Sequence, residues 1–224
     1  MIKLANSSFS YPSSVFRLFI EELTVKAGER VAVIGPSGSG KTTLLNLVAG
    51  ILTPQAGSIL IDDCEISSQS DKARRDYRIR NIGFVFQDFG LIDYLDARDN
   101  ILHPYRITRA LGMNRDVRGK AQWLAEQMGI GDKLNRYPAD LSHGERQRVA
   151  ICRALLPGPK IILADEATGN LDPENKNLIL ELLFQVVSEH KATLLAVTHD
   201  HELLHHFDRV IDFRDFLRGG QDEK

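Results

Sequence analysis

The chain has 224 residues, of which 43% are hydrophobic and 26% are charged, the ordinary mixture of a soluble globular protein. Its 28 Lys and Arg against 30 Asp and Glu give a formal net charge of -2, which excludes the global positive field typical of nucleic-acid-binding proteins, so we expect no nucleic-acid partner. Only Cys64 and Cys152 are present, which excludes a disulfide framework, and no apolar run approaches the ~18 residues of a membrane span. We therefore expect one compact unit in a reducing, cytosolic environment.

The first third of the chain contains two kinds of predicted strand. Partial alternation and glycine turns in "RLFIEELTVKAG" and "GSILIDDCEI" predict an antiparallel sheet packed at one edge. Between them, Val31–Gly35 is a short, nearly all-apolar run, as are Ile161–Asp165 and Thr193–His199 later in the chain. Runs of this length are typical of parallel strands that helices cover on both faces. An α/β core is therefore predicted.

The segment that follows the first apolar run reads "GPSGSGKT" and matches the phosphate-binding pattern G-x-x-x-x-G-K-S/T. It lies after a predicted strand and before the helical "TTLLNLVAG", which is the context that this pattern requires. Glycines let backbone amides approach phosphate oxygens, and the helix directs its positive end at them. Lys41 supplies a cation for the β- and γ-phosphates, and the Thr42 hydroxyl is suited to Mg²⁺. We expect the following residues to bind ATP: Gly35, Pro36, Ser37, Gly38, Ser39, Gly40, Lys41, Thr42 and Thr43.

Helical spacing dominates from about Asp88 to Leu156 and predicts a helical insertion between core strands. Within it, "LSHGER" combines a serine, a histidine and a glutamate. A Ser/His hydrolase is excluded because Ser142 and His143, as sequence neighbours on a helix, point in different directions. Ser142 and Glu145 instead match a capping box, and a helix cap is one sufficient explanation. A glycine in the first turn, Gly144, favours close access to the backbone and so an anion site.

A pair of acids, Asp165 and Glu166, ends the second apolar strand. Open α/β sheets bind ligands at the carboxyl ends of their strands. Asp165 is therefore expected to hold Mg²⁺, and Glu166 to orient or deprotonate the water that attacks the γ-phosphate. The alternative is two solvated acids at a strand end.

A competing metal motif, "HELLH" at His201–His205, follows the last apolar run. On an α-helix this pattern places two histidines on one face for zinc. We find no third ligand in a suitable context downstream, and we interpret both histidines as residues of a helix surface, with an adventitious surface metal site as the alternative.

The motifs in this order resemble those of the ATP-binding subunits of ABC transporters, over about Ile2 to Asp212. They are "GPSGSGKT", Gln87 of "FVFQD", "LSHGERQR", "IILADE", "GNLD" at Gly169–Asp172, and His199. The resemblance implies a P-loop NTPase core with an edge antiparallel β-subdomain and an inserted α-helical subdomain. The core would take about residues 1–87 and 157–224, and the helical subdomain about 88–156. Within the family, "DEATGNLD" and "IGFVFQDFGLI" look most like the group for lipoprotein release, macrolide export and cell division.

The resemblance also implies roles for single residues. Gln87 would contact Mg²⁺ and the attacking water, and His199 would touch the γ-phosphate. Tyr11 would stack on adenine, unless it is an ordinary aromatic at a strand end. Asp172 would lie at a dimer interface.

The implied partners are a second copy of the chain and one or more integral membrane permease subunits at the cytoplasmic face of the membrane. Ser142, Gly144 and Glu145 of one copy would bind the γ-phosphate of ATP held by the other. The permease would contact the surface around Gln87 to Leu95. The alternative is a soluble ABC-type ATPase that acts on DNA or ribosomes.

The chain departs from the family signature at His143, where glycine is usual, as well as at Glu145 and Ala167. We hypothesise that proton uptake by His143 strengthens phosphate attraction as the pH falls.

Overall fold

The computed structural model describes residues 2–13, 15–167, 173–189 and 191–217. These residues form two sheets with helices around them. The strands are β1 (Ile2–Ser10), β2 (Arg17–Val25), β3 (Arg30–Ile34), β4 (Ala56–Ile61), β5 (Cys64–Glu65), β6 (Ile82–Val85), β7 (Ile161–Asp165), β8 (Thr193–Val197) and β9 (Arg209–Asp212). The helices are α1 (Lys41–Val48), α2 (Asp71–Asn81), α3 (Ala97–Arg106), α4 (Arg115–Gln127), α5 (His143–Leu155), α6 (Pro173–Glu189) and α7 (Arg214–Leu217).

The larger sheet has the strand order β6-β7-β8-β3-β9, and every neighbouring pair is parallel. All five residues of β7 and of β8 are buried, which is why these strands are apolar without alternation. The three apolar runs thus form strands as predicted. Because the strands are parallel, the loops that follow β3, β6, β7 and β8 all emerge at one edge of the sheet.

The smaller sheet has the order β2-β1-β4-β5 and is antiparallel, which confirms the predicted edge sheet. Its strand β1 was not predicted. The register of β1 against β4 shifts between Ala5 and Ser8, and Asn6 has a φ of 46° there. Such a bulge adds a residue to the strand, so the alternation of buried side chains changes phase in mid-strand. The period of two that predicts a strand is lost for this reason.

The region predicted to be helical contains α3, α4 and α5, and the α/β class is confirmed. Buried side chains of these helices share one hydrophobic cluster with those of β7 and β8. Helix α5 also packs closely on β6, since a Cβ added at Gly83 of β6 would lie 2.6 Å from the carbonyl oxygen of Ala154 in α5. We therefore retain the helical subdomain of about 88–156 as a proposal whose final helix also covers the core. Within the described ranges, no helix is both long enough and apolar enough to cross a membrane.

Helix α2 lies outside that region and was not predicted. It buries no side chain, so it lacks the apolar periodicity that identifies a helix in a sequence. Arginine side chains attach it to the core instead: Arg74 Nε donates to the carbonyl oxygen of Gly50 over 3.2 Å, and Arg78 Nη1 donates to that of Ala49 over 3.1 Å.

Candidate functional site

The carboxyl ends of four parallel strands form one cavity of about 470 Å³. The phosphate-binding loop follows β3, Gln87 follows β6, and Asp165 and Glu166 end β7, while Val197 ends β8. The described residues that line the cavity are Tyr11, Phe16, Ser37, Gly38, Gly40, Lys41, Thr42, Thr43, Gln87, Asp165, Glu166 and Val197. Residues far apart in the sequence thus meet because parallel strands share a carboxyl edge.

Helix α1 begins at the phosphate-binding loop without a side-chain cap. Its preceding residue, Gly40, has a φ of 110°, a left-handed conformation that favours glycine, and a Cβ there would lie 2.6 Å from the ring of Phe16. The uncapped first turn leaves amide groups directed at the cavity, together with the positive end of the helix dipole. The loop therefore presents an anion-binding surface made of backbone.

Two buried polar side chains of the loop are suited to a phosphate ligand. Lys41 is only 7% exposed, and its Nζ donates to the carbonyl oxygens of Gly35 (2.9 Å) and Pro36 (2.8 Å). Ser39 Oγ is buried and has no hydrogen-bond partner among the described residues. An orphaned hydroxyl and a buried ammonium group at an uncapped helix start fit the phosphates of ATP.

The predicted Mg²⁺ ligands Thr42 and Asp165 lie in contact. Asp165 is 8% exposed, and the Thr42 hydroxyl donates a hydrogen bond to its carboxyl group. Burial raises the pKa of Asp165, whereas that hydrogen bond and the charge of Lys41 oppose the rise. Oxygen ligands of this kind fit Mg²⁺, which keeps waters and phosphate oxygens in its remaining positions.

The three predicted catalytic side chains meet at one carboxylate oxygen. Gln87 Nε2 donates to Glu166 Oε2 over 3.2 Å, and His199 Nδ1 lies 3.3 Å from the same oxygen. Glu166 itself has a φ of 45°, a left-handed conformation that costs a residue with a side chain about 1–2 kcal/mol. Its N–H is fixed by the carbonyl oxygen of Val197 at 3.0 Å. The sheet thus holds Glu166 in a strained conformation that points its carboxylate at the cavity.

Tyr11 lies at the wall of the cavity, as expected for a nucleotide contact. Its hydroxyl is 3.1 Å from Thr43 Oγ1, and its ring packs edge-on against Phe9 with centroids 4.8 Å apart. Adenine stacking remains a prediction. Sequence reasoning missed two neighbours of this wall, Phe16 and Val197, because neither belongs to a motif with a recognisable spacing.

The start of α5 has the predicted capping box. Ser142 Oγ accepts a hydrogen bond from the Glu145 N–H (3.2 Å), and Glu145 Oε2 accepts one from the Ser142 N–H (2.8 Å). Gly144 is buried, whereas His143 is exposed and packs edge-on against Phe89, with ring centroids 5.6 Å apart. The pH hypothesis for His143 stays a prediction. Asp172, and the rest of Gly169–Asp172, lie outside the described residues.

The segment "HELLH" adopts a different helix from the one expected. Residues His201–His206 form a 3₁₀ helix, not an α-helix. With three residues per turn, positions i and i+4 lie about 120° apart around the axis, so His201 and His205 do not share a face. Both are exposed, and His205 Nδ1 lies 2.7 Å from the carbonyl oxygen of Glu202. Among the described residues, no three His, Cys, Asp or Glu side chains come together as a metal site.

Comparison with known proteins agrees with this geometry. The family model described as "ABC transporter" matches residues 20–169. The lipoprotein-releasing system ATP-binding protein LolD of Pseudomonas fluorescens is 41% identical over 91% of this chain and 89% of its own length. The macrolide export ATP-binding/permease protein MacB of Rhodopirellula baltica is 43% identical over 87% of this chain, which spans only 28% of that longer relative. These names match the lipoprotein-release and macrolide-export group.

Solved structures give the same result. The ATP-binding cassette MJ0796, as a dimer in a post-hydrolysis state with ADP and phosphate, superposes with a TM-score of 0.85 at 34% identity. The match covers 95% of this chain and 94% of that one. Fold, cavity and motifs thus agree, and the chain belongs to the ABC transporter family as an ATP-binding cassette that hydrolyses ATP.

Proposed function

We propose that two copies of this chain enclose two ATP molecules and drive integral membrane permease subunits from the cytoplasmic face of the membrane. In each composite site, one copy contributes the phosphate-binding loop and the other contributes the start of α5. The cargo is expected to be determined by the permease.

The observation that carries this proposal is the position of the capped helix start. None of the described residues that line the cavity comes from Leu141–Arg146. An exposed Ser142 and a buried Gly144 at a helix N-terminus have the properties of an anion site, yet they do not line the ATP cavity of their own chain. A second copy provides a phosphate for them. The dimeric MJ0796 cassette supports this arrangement.

Within each site the side chains have separable tasks. Lys41 and the α1 amides bind the β- and γ-phosphates, while Thr42 and Asp165, with Gln87, would hold Mg²⁺. When bound, Mg²⁺ neutralises developing charge on the phosphates. Glu166 accepts a proton from the attacking water, and Gln87 and His199 orient its carboxylate through Oε2. Both contacts are made to Oε2, which leaves Oε1 as the oxygen available to the water.

The test is the oligomeric state of Glu166→Gln with ATP and Mg²⁺. The variant should keep ATP affinity, lose hydrolysis by about 10²-fold or more, and elute as a dimer in size-exclusion chromatography. The matched control is Glu166→Gln combined with Ser142→Asp. Aspartate preserves the helix cap but places a negative charge against the phosphate of the other copy, so this double variant should elute as a monomer. A monomeric Glu166→Gln chain with bound ATP contradicts the composite site.

The permease contact is proposed at the loop around Gln87 to Leu95. Tyr94 is 81% exposed there, while the loop beneath it is fixed by Asn100, whose amide bonds the backbone of Ile92, Leu95 and Asp96. A rigid loop that presents an exposed aromatic ring is typical of an interface anchor. Tyr94→Asp should remove stimulation of ATPase activity by the co-purified membrane partner and leave basal activity unchanged. Trp123→Asp, on the exposed face of α4, is the control and should keep the stimulation.

A further inference from the structure

The turn after Gln87 has an unusual backbone. Phe89 has a φ of 65° and Gly90 a φ of 54°, so a bulky aromatic residue occupies a left-handed conformation that glycine, but rarely phenylalanine, adopts. The Phe89 N–H donates to the Phe86 carbonyl oxygen over 3.2 Å and closes the turn. Such a conformation persists only where the surrounding structure over-determines it.

One helix, α5, provides the groups that hold this turn from the side. Arg153 Nη2 donates to the carbonyl oxygen of Phe89 over 2.6 Å, and Arg153 Nη1 donates to that of Gly90. Burial lowers the pKa of Arg153 to about 10, and the charge of Asp88 opposes this shift, so the guanidinium is charged at neutral pH. A planar guanidinium group that donates to two successive carbonyl oxygens fixes the turn more rigidly than a single hydrogen bond would.

The Phe89 ring is held by the same helix at its other end. It is 7% exposed, and it contacts His143 edge-on while the Arg146 guanidinium lies 5.7 Å from its centroid. His143 and Arg146 are three positions apart, so they are neighbours on one face of α5. Residues at the start of α5 thus contact the ring, and Arg153 near the end of α5 hydrogen-bonds the backbone of the turn.

We infer that Phe89, held by His143 and Arg153, is a positioning residue that transmits the placement of the α5 N-terminus to Gln87 and so to Glu166. The inference rests on the proposed composite site, in which the α5 N-terminus binds the ATP of the second copy. Gln87 is two residues before Phe89, and it donates to Glu166 Oε2. His143 contributes through its contact with the Phe89 ring. This contact gives a structural role to the histidine that stands where the family signature has glycine.

A double-mutant cycle in kcat tests the inference. Phe89→Leu keeps an apolar side chain but loses the ring face, and it should lower kcat for ATP hydrolysis about tenfold with KM changed by less than about twofold. In a Gln87→Ala background the same substitution should have no further effect, because the group through which Phe89 acts is absent. Equal fold-losses in the two backgrounds overturn the inference.

A second pair of variants keeps the test decisive if Phe89→Leu does not fold. Arg153→Lys retains the positive charge but loses the two-pronged donation of the guanidinium. It should lower kcat in the wild-type background and not in the Gln87→Ala background. Its matched control is Arg148→Lys on the same helix, whose Nη1 donates to the Met128 carbonyl oxygen at 3.5 Å, and it should leave kcat unchanged. Equal losses from both arginines indicate a general effect on α5 and contradict the inference.

Failure of the composite site is distinguishable from failure of this transmission. If Glu166→Gln dimerises with ATP but Phe89→Leu lowers kcat equally with and without Gln87→Ala, the composite site is supported and the proposed role of Phe89 is wrong. The opposite result is a monomeric Glu166→Gln, together with no further loss of kcat from Phe89→Leu in the Gln87→Ala background. In that case Phe89 positions Gln87 within one copy, and the link to the ATP of a second copy is wrong.

Discussion

The phosphate-binding loop and the turn at Phe89 both leave a parallel strand at its carboxyl end, yet they are held in opposite ways. The loop at Gly35–Thr43 is stabilised by its own neighbours: Lys41 bonds carbonyl groups five and six residues earlier. The turn is stabilised by Arg153, 63 and 64 residues later. A local binding site therefore depends on residue types in one segment, whereas a transmitting element depends on contacts between distant segments.

The largest effect is expected from breaking the local site. Lys41→Ala should weaken ATP binding by about 10- to 100-fold, since a hydrogen bond to a charged group contributes about 1.5–3 kcal/mol. Isothermal titration calorimetry measures this change, with the exposed Lys3→Ala as control. An affinity close to that of the wild type would show that the backbone amides alone hold the phosphates.

Breaking the hydrogen bonds that hold the loop after the Phe89 turn should affect stability and not binding. Asn100 is fully buried and bonds three backbone positions, so Asn100→Ala should lower the free energy of unfolding by about 1–3 kcal/mol through unpaired buried groups. Urea titration checks this, and the exposed Asn135→Ala is the matched control. ATP affinity should be unchanged. A loss of affinity equal to that of Lys41→Ala contradicts the separation between the two regions.

The start of α5 joins both kinds of region, since in the proposed composite site a local cap would serve the ATP of the other copy. Ser142→Ala should cost about 1 kcal/mol of stability, whereas Ser142→Asp should cost little because aspartate caps equally well. ATP-dependent dimerisation should be lost in Ser142→Asp despite its intact stability. Thermal unfolding and size-exclusion chromatography of the two variants separate these effects, and a Ser142→Asp chain that still dimerises would reduce Ser142 to a helix cap.

The smallest effect is expected at an exposed non-local contact. Arg30 and Asp208, 178 residues apart, form an ion pair of 2.6 Å whose side chains are 33% and 42% exposed. Solvent screening limits its contribution to about 0–1 kcal/mol.

This contribution depends on pH with a defined sign. Hydrogen bonds from Arg30 lower the pKa of Asp208, so its stabilisation is present above the ordinary aspartate pKa of about 3.9 and is lost as the pH falls through the lower folded pKa. Asp208→Asn should therefore be slightly less stable than the wild type at pH 7 and equally stable at pH 2. A difference above about 2 kcal/mol at pH 7 would show that separation in the sequence, and not burial, decides the strength of such a contact.

The elements whose information is local can be predicted from the amino-acid sequence alone. The phosphate-binding loop, the capping box at Ser142 and the buried strands β3, β7 and β8 could be predicted because each depends on residue types within a few positions. Even the meeting of Asp165 with the loop followed from the rule that parallel strands share a carboxyl edge.

The features that depend on pairing between distant segments become visible in the folded molecule and not before. The bulge in β1 interrupts the alternation that predicts a strand. Helix α2 buries no side chain and is attached through arginines, so it has no apolar periodicity. The motif at His201 presumes an α-helix, whereas the segment is a 3₁₀ helix. The contacts of His143 and Arg153 with the Phe89 turn have no local signal either. Hydrogen bonds to backbone carbonyls place no demand on the residue that carries the carbonyl, so no spacing in the sequence records them.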